Sequence, residues 1–199
     1  MHLVTLDLEG VLVPEIWVGL AERTGIEALR RTTRDEPDYD VLMRFRLDIL
    51  RENQIRVETI HEVIGEMQPL EGACEFMEWL QGKTRVIILS DTFAQFAGPL
   101  MAQLGNPTLF CHDLEIDANG WITGYRLRQD DQKRKAVKAL QGLGFKVYAA
   151  GDSYNDVSML DSADAAFLFR PPDSLRDERK NWPVALDHPT LRSYLEPLL

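Results

Sequence analysis

At 199 residues the chain is long enough for one substantial hydrophobic core with an inserted segment and short for two independent domains. An apolar share of 45%, with eight Phe, five Tyr and four Trp, excludes a disordered chain. The 32 acidic residues against 22 basic ones give a formal charge of -10 with no basic block, which excludes a phosphate-tracking nucleic-acid binder and obliges any anion site to supply its own positive charge.

His2 to Asp7 reads as a short buried strand, almost continuously apolar or β-branched, that ends in an acid and is soon followed by Gly10. Residues from about Pro14 to Gln68 follow a helical pattern charged on one side, with turn signals near Gly25 and at Glu36 to Asp38, which predicts a helical insertion over residues 14–69. Pro69 to Gly72 punctuates the return. Ala73 to Gln81 then has helical spacing at Phe76, Met77 and Leu80, and Arg85 to Leu89, apolar on both faces, suits a central parallel strand that ends at Ser90. Between Leu114 and Leu127, Asn119-Gly120 separates β-like stretches and predicts a hairpin with a two-residue type I′ turn. Lys133 to Leu143 returns to the helical period and is closed by Gly144. Lys146 to Ala150 predicts a strand running into Gly151-Asp152, and Ala163 to Phe169 one more. The segment from Arg170 onward, rich in Pro and charge, predicts short irregular pieces along the sheet edge with no function. One α/β domain with an insertion accounts for the whole pattern.

Cys74 and Cys111 have no CxxC spacing and build no disulfide framework, so a reducing cytoplasm is the expected compartment. No apolar run approaches the roughly 20 residues of a membrane span, and the run Leu3 to Leu6 meets an acid at once, unlike a signal peptide, so a soluble, unprocessed protein with no membrane partner is expected.

In an open α/β sheet, ligands bind beyond the carboxyl ends of the strands. Three predicted strands end there in polar groups: Asp7-Leu8-Glu9-Gly10, Ser90-Asp91-Thr92, and Gly151-Asp152-Ser153-Tyr154-Asn155-Asp156. A single Asp after a strand is usually turn punctuation, but several carboxylates at one sheet edge repel one another, and a hard cation such as Mg²⁺ holds them together. Asp7 and Asp152 are the expected ligands, with a main-chain oxygen near Glu9. His2, His61, His112 and His188 lack ligand spacing, so zinc is not expected, and Trp17, Trp79, Trp121 and Trp182 read as packing residues. Among the crowded Lys133, Arg134, Lys135 and Lys138, Lys133 shares a face with Ala136, Val137 and Leu140 and points inward at a helix start, with Lys135 as the alternative.

The acid-x-acid after strand one, the Ser after the second strand, a Lys and the GDxxND element resemble the haloacid dehalogenase phosphatases, in order and spacing, over nearly the whole chain. The resemblance implies a Rossmann-like three-layer α/β fold with a parallel sheet, its core formed by residues 1–13 and 70–199 and a helical cap, 14–69, inserted after strand one. It implies a Mg²⁺-dependent phosphotransfer in which Asp7 is the nucleophile that becomes an aspartyl phosphate and Glu9 is the general acid and base. Ser90 and the backbone after it at Asp91 would bind phosphoryl oxygens, Lys133 would neutralise the developing charge, and Asn155 would add a polar contact. Asp152, with Asp156 behind it, would anchor the metal together with Asp7 and the main chain at Glu9.

Helical spacing places Arg46 with Leu42, Ile49 and Leu50 on an apolar face, whereas Arg44 lies with Asp40, Asp48 and Arg51 on a charged one. A semi-buried guanidinium needs an anion, either a structural carboxylate or that of a substrate. The segment from Met43 to Leu50 resembles the phosphoserine phosphatase cap, in which the matching Arg binds the substrate carboxylate, and Glu15 matches the acid that meets the ammonium; spacing alone equally allows Glu15 to be a first-turn helix charge. The resemblance therefore implies L-phosphoserine as substrate. Glu9 in place of a second Asp, Gly10-Val11 in place of a small hydroxyl residue, and Ser90-Asp91-Thr92 in place of a Ser-Gly-Gly type turn depart from that pattern and resemble the variant group in which homoserine can replace water as acceptor. Two other readings stand beside it: a phosphatase for another small phosphomonoester, with Arg46 and Glu15 paired to each other or to neighbours, and a phospho-acceptor module without turnover, against which Glu9 argues. The oligomeric state is left open, a homodimer included.

Overall fold

A computed structural model describes residues 1–32, 35, 36 and 38–199. Among them runs a seven-stranded sheet whose strands are β1 (His2–Leu6), β2 (Arg85–Phe93), β3 (Thr108–Ile116), β4 (Ile122–Arg126), β5 (Lys146–Gly151), β6 (Ala165–Phe169) and β7 (Val184–Ala185). Their order is β4-β3-β2-β1-β5-β6-β7, parallel throughout except for the antiparallel β3/β4 pair. The central strands alternate between two apolar layers. Val4, Leu6, Ala150, Phe167 and Phe169 face one core, while Leu3, Val147, Ala149 and Leu168 face the other, so helices cover both faces as the expected three-layer α/β fold requires.

The connection after β1 contains α1 (Ile16–Thr24), a 3₁₀ turn (Glu27–Arg30), α2 (Tyr39–Glu52) and α3 (Val57–Glu66), which matches the predicted helical insertion. Gly25, at φ 72°, ends α1 where the turn was expected; the second turn signal, at Glu36 to Asp38, includes Pro37, which lies outside the described residues. The chain then forms α4 (Ala73–Lys83), α5 (Ala94–Gln103), α6 (Gln132–Gly142), α7 (Val157–Ser162), α8 (Asp173–Glu178) and α9 (His188–Leu195). Among the described residues no helix is long and apolar enough to cross a membrane.

Three expectations need correction. Strand β2 does not stop at Ser90 but continues to Phe93, because its ladder with β3 resumes after a register shift, with Phe93 opposite His112. The hairpin does not use a two-residue type I′ turn, which needs positive φ at both central residues: only Gly120 has it, at 81°, and the Asp117 carboxylate accepts the amides of Asn119 and Trp121, building a longer Asx-type loop. The C-terminal segment is not irregular. The Asp187 carboxylate caps α9 by accepting the Thr190 amide, α8 and α9 bury Leu175, Leu191 and Leu195, and β7 adds a parallel edge strand beside β6.

Because β2 and β3 lie on one side of β1 and β5 to β7 on the other, the chain reverses its winding at β1. The tips of β1, β2 and β5 meet at that switch point, where open α/β sheets bind ligands.

Candidate active site

Asp7 follows the last residue of β1, with its amide bonded to the Ala150 carbonyl of β5 at 3.0 Å, so the ladder itself delivers its side chain to the sheet edge. The next turn is tight: the Leu12 and Val13 amides bond to the Leu8 carbonyl, and the Gly10 amide to that of Val13. Gly10 holds φ 80°, and a Cβ there would stand 2.5 Å from the Asp152 carboxyl, so both the backbone conformation and the approach of β5 demand glycine. Gly151 is constrained by close approach alone, since a Cβ would meet the Asp156 side chain at 2.5 Å.

The predicted acids converge. Carboxylate oxygens of Asp7, Asp152 and Asp156 lie within 4.8 Å of one another. Lys133, buried at the start of α6, places Nζ 2.9 Å from Asp7 Oδ1, 2.8 Å from Asp156 Oδ1 and 3.6 Å from Asp91 Oδ2. Lys135, the alternative, is exposed. Asp156 is spent on architecture: Oδ2 accepts the amides of Asp152 at 2.9 Å and Ser153 at 3.3 Å, while Oδ1 takes Lys133. One ammonium among four carboxylates leaves a surplus of negative charge, and it shows in the acidities. Burial, together with the charges of Asp156, Asp152 and Asp91, raises the Asp7 pKa well above the usual carboxylate range against the opposing pull of Lys133; burial and Asp156 push Asp152 up to about 7. Lys133, despite burial that works the other way, is held firmly as an ammonium by Asp156, Asp7 and Asp91.

These donors fit a magnesium ion. They are hard oxygen ligands with excess negative charge, and Asp7 and Asp152 are the carboxylates not committed to holding the backbone turn at Gly151 to Ser153, whereas Asp156 supports the set from behind.

Glu9 turns away from this cluster. Its Oε2 accepts the Ile16 amide at 2.9 Å at the N-terminus of α1, and burial raises its pKa, with the Ile16 bond, Arg46 and the Thr92 hydroxyl working against the rise and Glu15 with it. A carboxyl on the cavity wall whose pKa is raised by burial suits an acid and base.

Ser90 is buried, its Oγ accepting the Thr92 amide at 3.2 Å. The Asp91 side chain is engaged elsewhere: Oδ1 accepts from Gln132 Nε2 at 3.1 Å and faces His112 Nε2 at 3.5 Å, and Oδ2 accepts from Asn155 Nδ2 at 3.0 Å. Burial alone would raise its pKa, but Lys133, His112, Gln132 and Asn155 outweigh burial and hold it well below the usual carboxylate range.

A cavity of about 330 Å³ opens between the strand tips and the helices, lined on the sheet side by Asp7, Ser90, Asp91, Lys133, Asp152 and Asn155 and on the other by Glu15, Thr32, Tyr39 and Arg46. Arg46 is buried as its helical position predicts. Its guanidinium lies 4.5 Å over the Trp17 ring, Nη2 donates to the Arg31 carbonyl at 2.8 Å, and among the described residues Nε finds no acceptor. Among the described residues it has no carboxylate partner within ion-pair distance, and burial lowers its pKa only to about 10, so it stays cationic at neutral pH. Glu15, half-buried, stands at the N-cap of α1 and makes no side-chain capping bond there.

Sequence reasoning missed Tyr39, whose hydroxyl donates to the Asp91 carbonyl at 3.2 Å, and the pair His112 and Gln132 behind Asp91. Gln132 directly precedes Lys133, yet a polar residue at a helix start reads as solvated; Trp17, expected in packing, is buried but also carries Arg46.

The sequence of residues 1–164 matches the haloacid dehalogenase-like hydrolase family. The chain belongs to that family. It is 53% identical over 192 residues to the phosphoserine phosphatase ThrH of Pseudomonas aeruginosa, covering 96% of this chain and 94% of the relative, and 54% identical over 184 residues to a phosphoserine phosphatase of Pseudomonas syringae pv. tomato, covering 92% and 78%. A substrate-bound phosphoserine phosphatase structure shares the fold with a TM-score of 0.79 at 19% identity, over 98% of this chain and 97% of the other. The protein is thus a phosphomonoesterase of the haloacid dehalogenase type.

Proposed function

We propose that this enzyme is a cytoplasmic Mg²⁺-dependent phosphatase for L-phosphoserine that works through an aspartyl phosphate and can pass the phosphoryl group to homoserine instead of water. The observation that carries the reading is the charge layout of one cavity: a cationic Arg46 and a Glu15 on the helical wall, neither paired with an opposite charge among the described residues, face the Asp7–Lys133 cluster on the sheet wall. A carboxylate, an ammonium and a phosphate complement those three places. The identity to phosphoserine phosphatases supports the same substrate. In this reading residues 14–69 are a cap that recognises the amino-acid end, and residues 1–13 with 70–199 are the core that does the chemistry.

Asp7 and Asp152, with the main-chain oxygen of Glu9 and Asp156 behind, would hold Mg²⁺, which supplies charge neutralisation at the phosphoryl oxygens. A carboxylate oxygen of Asp7 attacks phosphorus, the bond to the serine oxygen breaks, and protonated Glu9 delivers its proton to that oxygen. Lys133, Asn155, Ser90 and the Asp91 amide hold the phosphoryl oxygens. Glu9, now a carboxylate, takes the proton of water or of the homoserine hydroxyl as its oxygen attacks phosphorus; the bond to Asp7 breaks, releasing phosphate or phosphohomoserine and restoring both acids.

The test incubates purified enzyme with Mg²⁺ and L-phosphoserine, with and without homoserine, following free phosphate and phosphohomoserine, and repeats it with Arg46→Ala. Wild-type turnover is expected, phosphohomoserine should form at the expense of free phosphate, and Arg46→Ala should lose phosphoserine turnover by about 100-fold or more while sparing an aryl phosphate. Absence of both products from the wild type sinks the substrate.

A further inference from the structure

The C-terminal helix α9 sends one side chain to the joint between the helical insertion and the sheet. His188, at the start of α9, is buried with its ring against Phe169 at the tip of β6, 4.7 Å between centroids, and Phe76 of α4, at 5.4 Å. Its Nε2 lies 2.9 Å from the carbonyl of Val11 and its Nδ1 2.8 Å from that of Glu71. Both partners are acceptors, so a ring nitrogen that carries a proton donates to the carbonyl it faces: one nitrogen in a neutral imidazole, both in the protonated ring.

Val11 belongs to the segment that leaves β1 for α1, and Glu71 to the segment that returns from α3 to α4. The two segments are also joined directly, the Leu70 amide donating to the Leu12 carbonyl at 2.9 Å. We infer that His188 is a positioning residue: by clamping both linkers to the sheet it fixes where the helices of residues 14–69 pivot, and thereby sets Arg46 and Glu15 against the phosphoryl pocket. The ring is well suited to the task, because tilted packing against Phe169 of the sheet and Phe76 of α4 immobilises it while its two nitrogens reach separate chain segments. The inference rests on the proposed reading of that wall as the site of the amino-acid end.

The test compares L-phosphoserine with p-nitrophenyl phosphate, which uses the phosphoryl pocket alone, in the Mg²⁺-loaded enzyme. His188→Phe keeps an aromatic ring in the same packing and removes both nitrogens, and with them the polar contacts to Val11 and Glu71. Its kcat/KM for phosphoserine should fall about tenfold, mainly through KM, while the aryl phosphate changes less than about twofold, and the Leu70 amide should exchange its hydrogen faster. His188→Gln, which keeps one amide donor, should fall between the two. A merely structural role moves both substrates by the same factor; equal falls, or none, overturn the inference, and if the Phe variant does not fold the Gln variant carries the same comparison. A wild type that fails to turn over phosphoserine refutes the proposed function instead, and the exchange rate of the Leu70 amide, which needs no substrate, then decides the clamp.

Discussion

Replacing Asp91 by Asn isolates the charge that this site adds beside its phosphoryl pocket. The carboxylate receives Asn155 and Lys133 on Oδ2, at 3.0 and 3.6 Å, and Gln132 and His112 on Oδ1, at 3.1 and 3.5 Å. An amide keeps the shape but must turn its NH₂ toward one of these pairs, setting donor against donor. Two unit charges 3.6 Å apart attract by about 5 kcal/mol at an effective dielectric constant of about 20. Lys133 keeps its nearer partners at 2.8 and 2.9 Å, however, so its anchoring largely survives. The remaining loss is the cost of one poorly met buried donor, about 1–2 kcal/mol, which predicts a fall in kcat of roughly tenfold as Lys133 and Asn155 lose their orientation. Affinity for the phosphate dianion moves the other way, because a negative charge has left the pocket, and inorganic phosphate should inhibit roughly three- to tenfold more tightly. Steady-state kinetics at saturating Mg²⁺ with phosphate as product inhibitor measures both. An unchanged kcat would show that Asp91 does not hold Lys133 and Asn155; a lower kcat with weaker phosphate inhibition would refute the electrostatic argument.

Two further outcomes follow from the same cluster. Gly10→Ala imposes a side chain at φ 80° and drives its Cβ to within 2.5 Å of the Asp152 carboxyl, so stability should fall by about 2 kcal/mol and the rise in Tm on adding Mg²⁺ should shrink; an unchanged Mg²⁺ response contradicts the close approach. In metal-free enzyme, Asp7 and Asp152 have folded pKa values raised above that of an unfolded carboxyl, to about 7 for Asp152, so the folded state binds protons more readily and stability falls as pH rises from about 4 through 7. Asp91, held below the usual range, contributes a constant stability across that window and does not mask the trend. Thermal melts should therefore give a higher Tm at pH 6 than at pH 8 without metal. Mg²⁺ at about a hundredfold over its Kd should add roughly 5–10 °C, with the larger gain at pH 8. A metal-free Tm that climbs from pH 6 to pH 8 would contradict the surplus of negative charge.

Much of the architecture was legible because local pattern and burial coincide. The run Val86 to Leu89 is apolar on both faces because it lies between two helical layers, and the acids after β1 and β5 stand at strand tips because a parallel sheet sends all its carboxyl ends to one edge. The errors have physical causes of the opposite kind. The extension of β2 through Ser90-Asp91-Thr92 depends on a ladder with His112 that no local propensity encodes. The Asn119-Gly120 dipeptide was overruled by a single carboxylate, Asp117, offering the backbone another partner. The C-terminal helices have short, Pro-interrupted patterns whose apolar residues only make sense once the two cores are there to receive them, Leu191 and Leu195 of α9 in the one that holds Phe76 and Phe169, Leu175 of α8 in the other.

The site divides along the same line. Helical period sufficed to bury Arg46, because which face is apolar is a local property. Whether a buried guanidinium is already paired is not local, since it depends on where every acid of the chain arrives. Glu9, far earlier in the chain, was free to pair with it and instead accepts the Ile16 amide, leaving Arg46 on Trp17 with, among the described residues, an open Nε. Asp91 shows the converse. As a sequence feature it looked like part of the phosphate loop, whereas its carboxylate accepts from Gln132 of α6 and Asn155 of the turn after β5 and faces Lys133 of α6 and His112 of β3. A residue type at a motif position therefore indicates which backbone approaches the substrate, but the hydrogen-bond partners of its side chain decide whether that side chain binds the substrate or holds the residues that do.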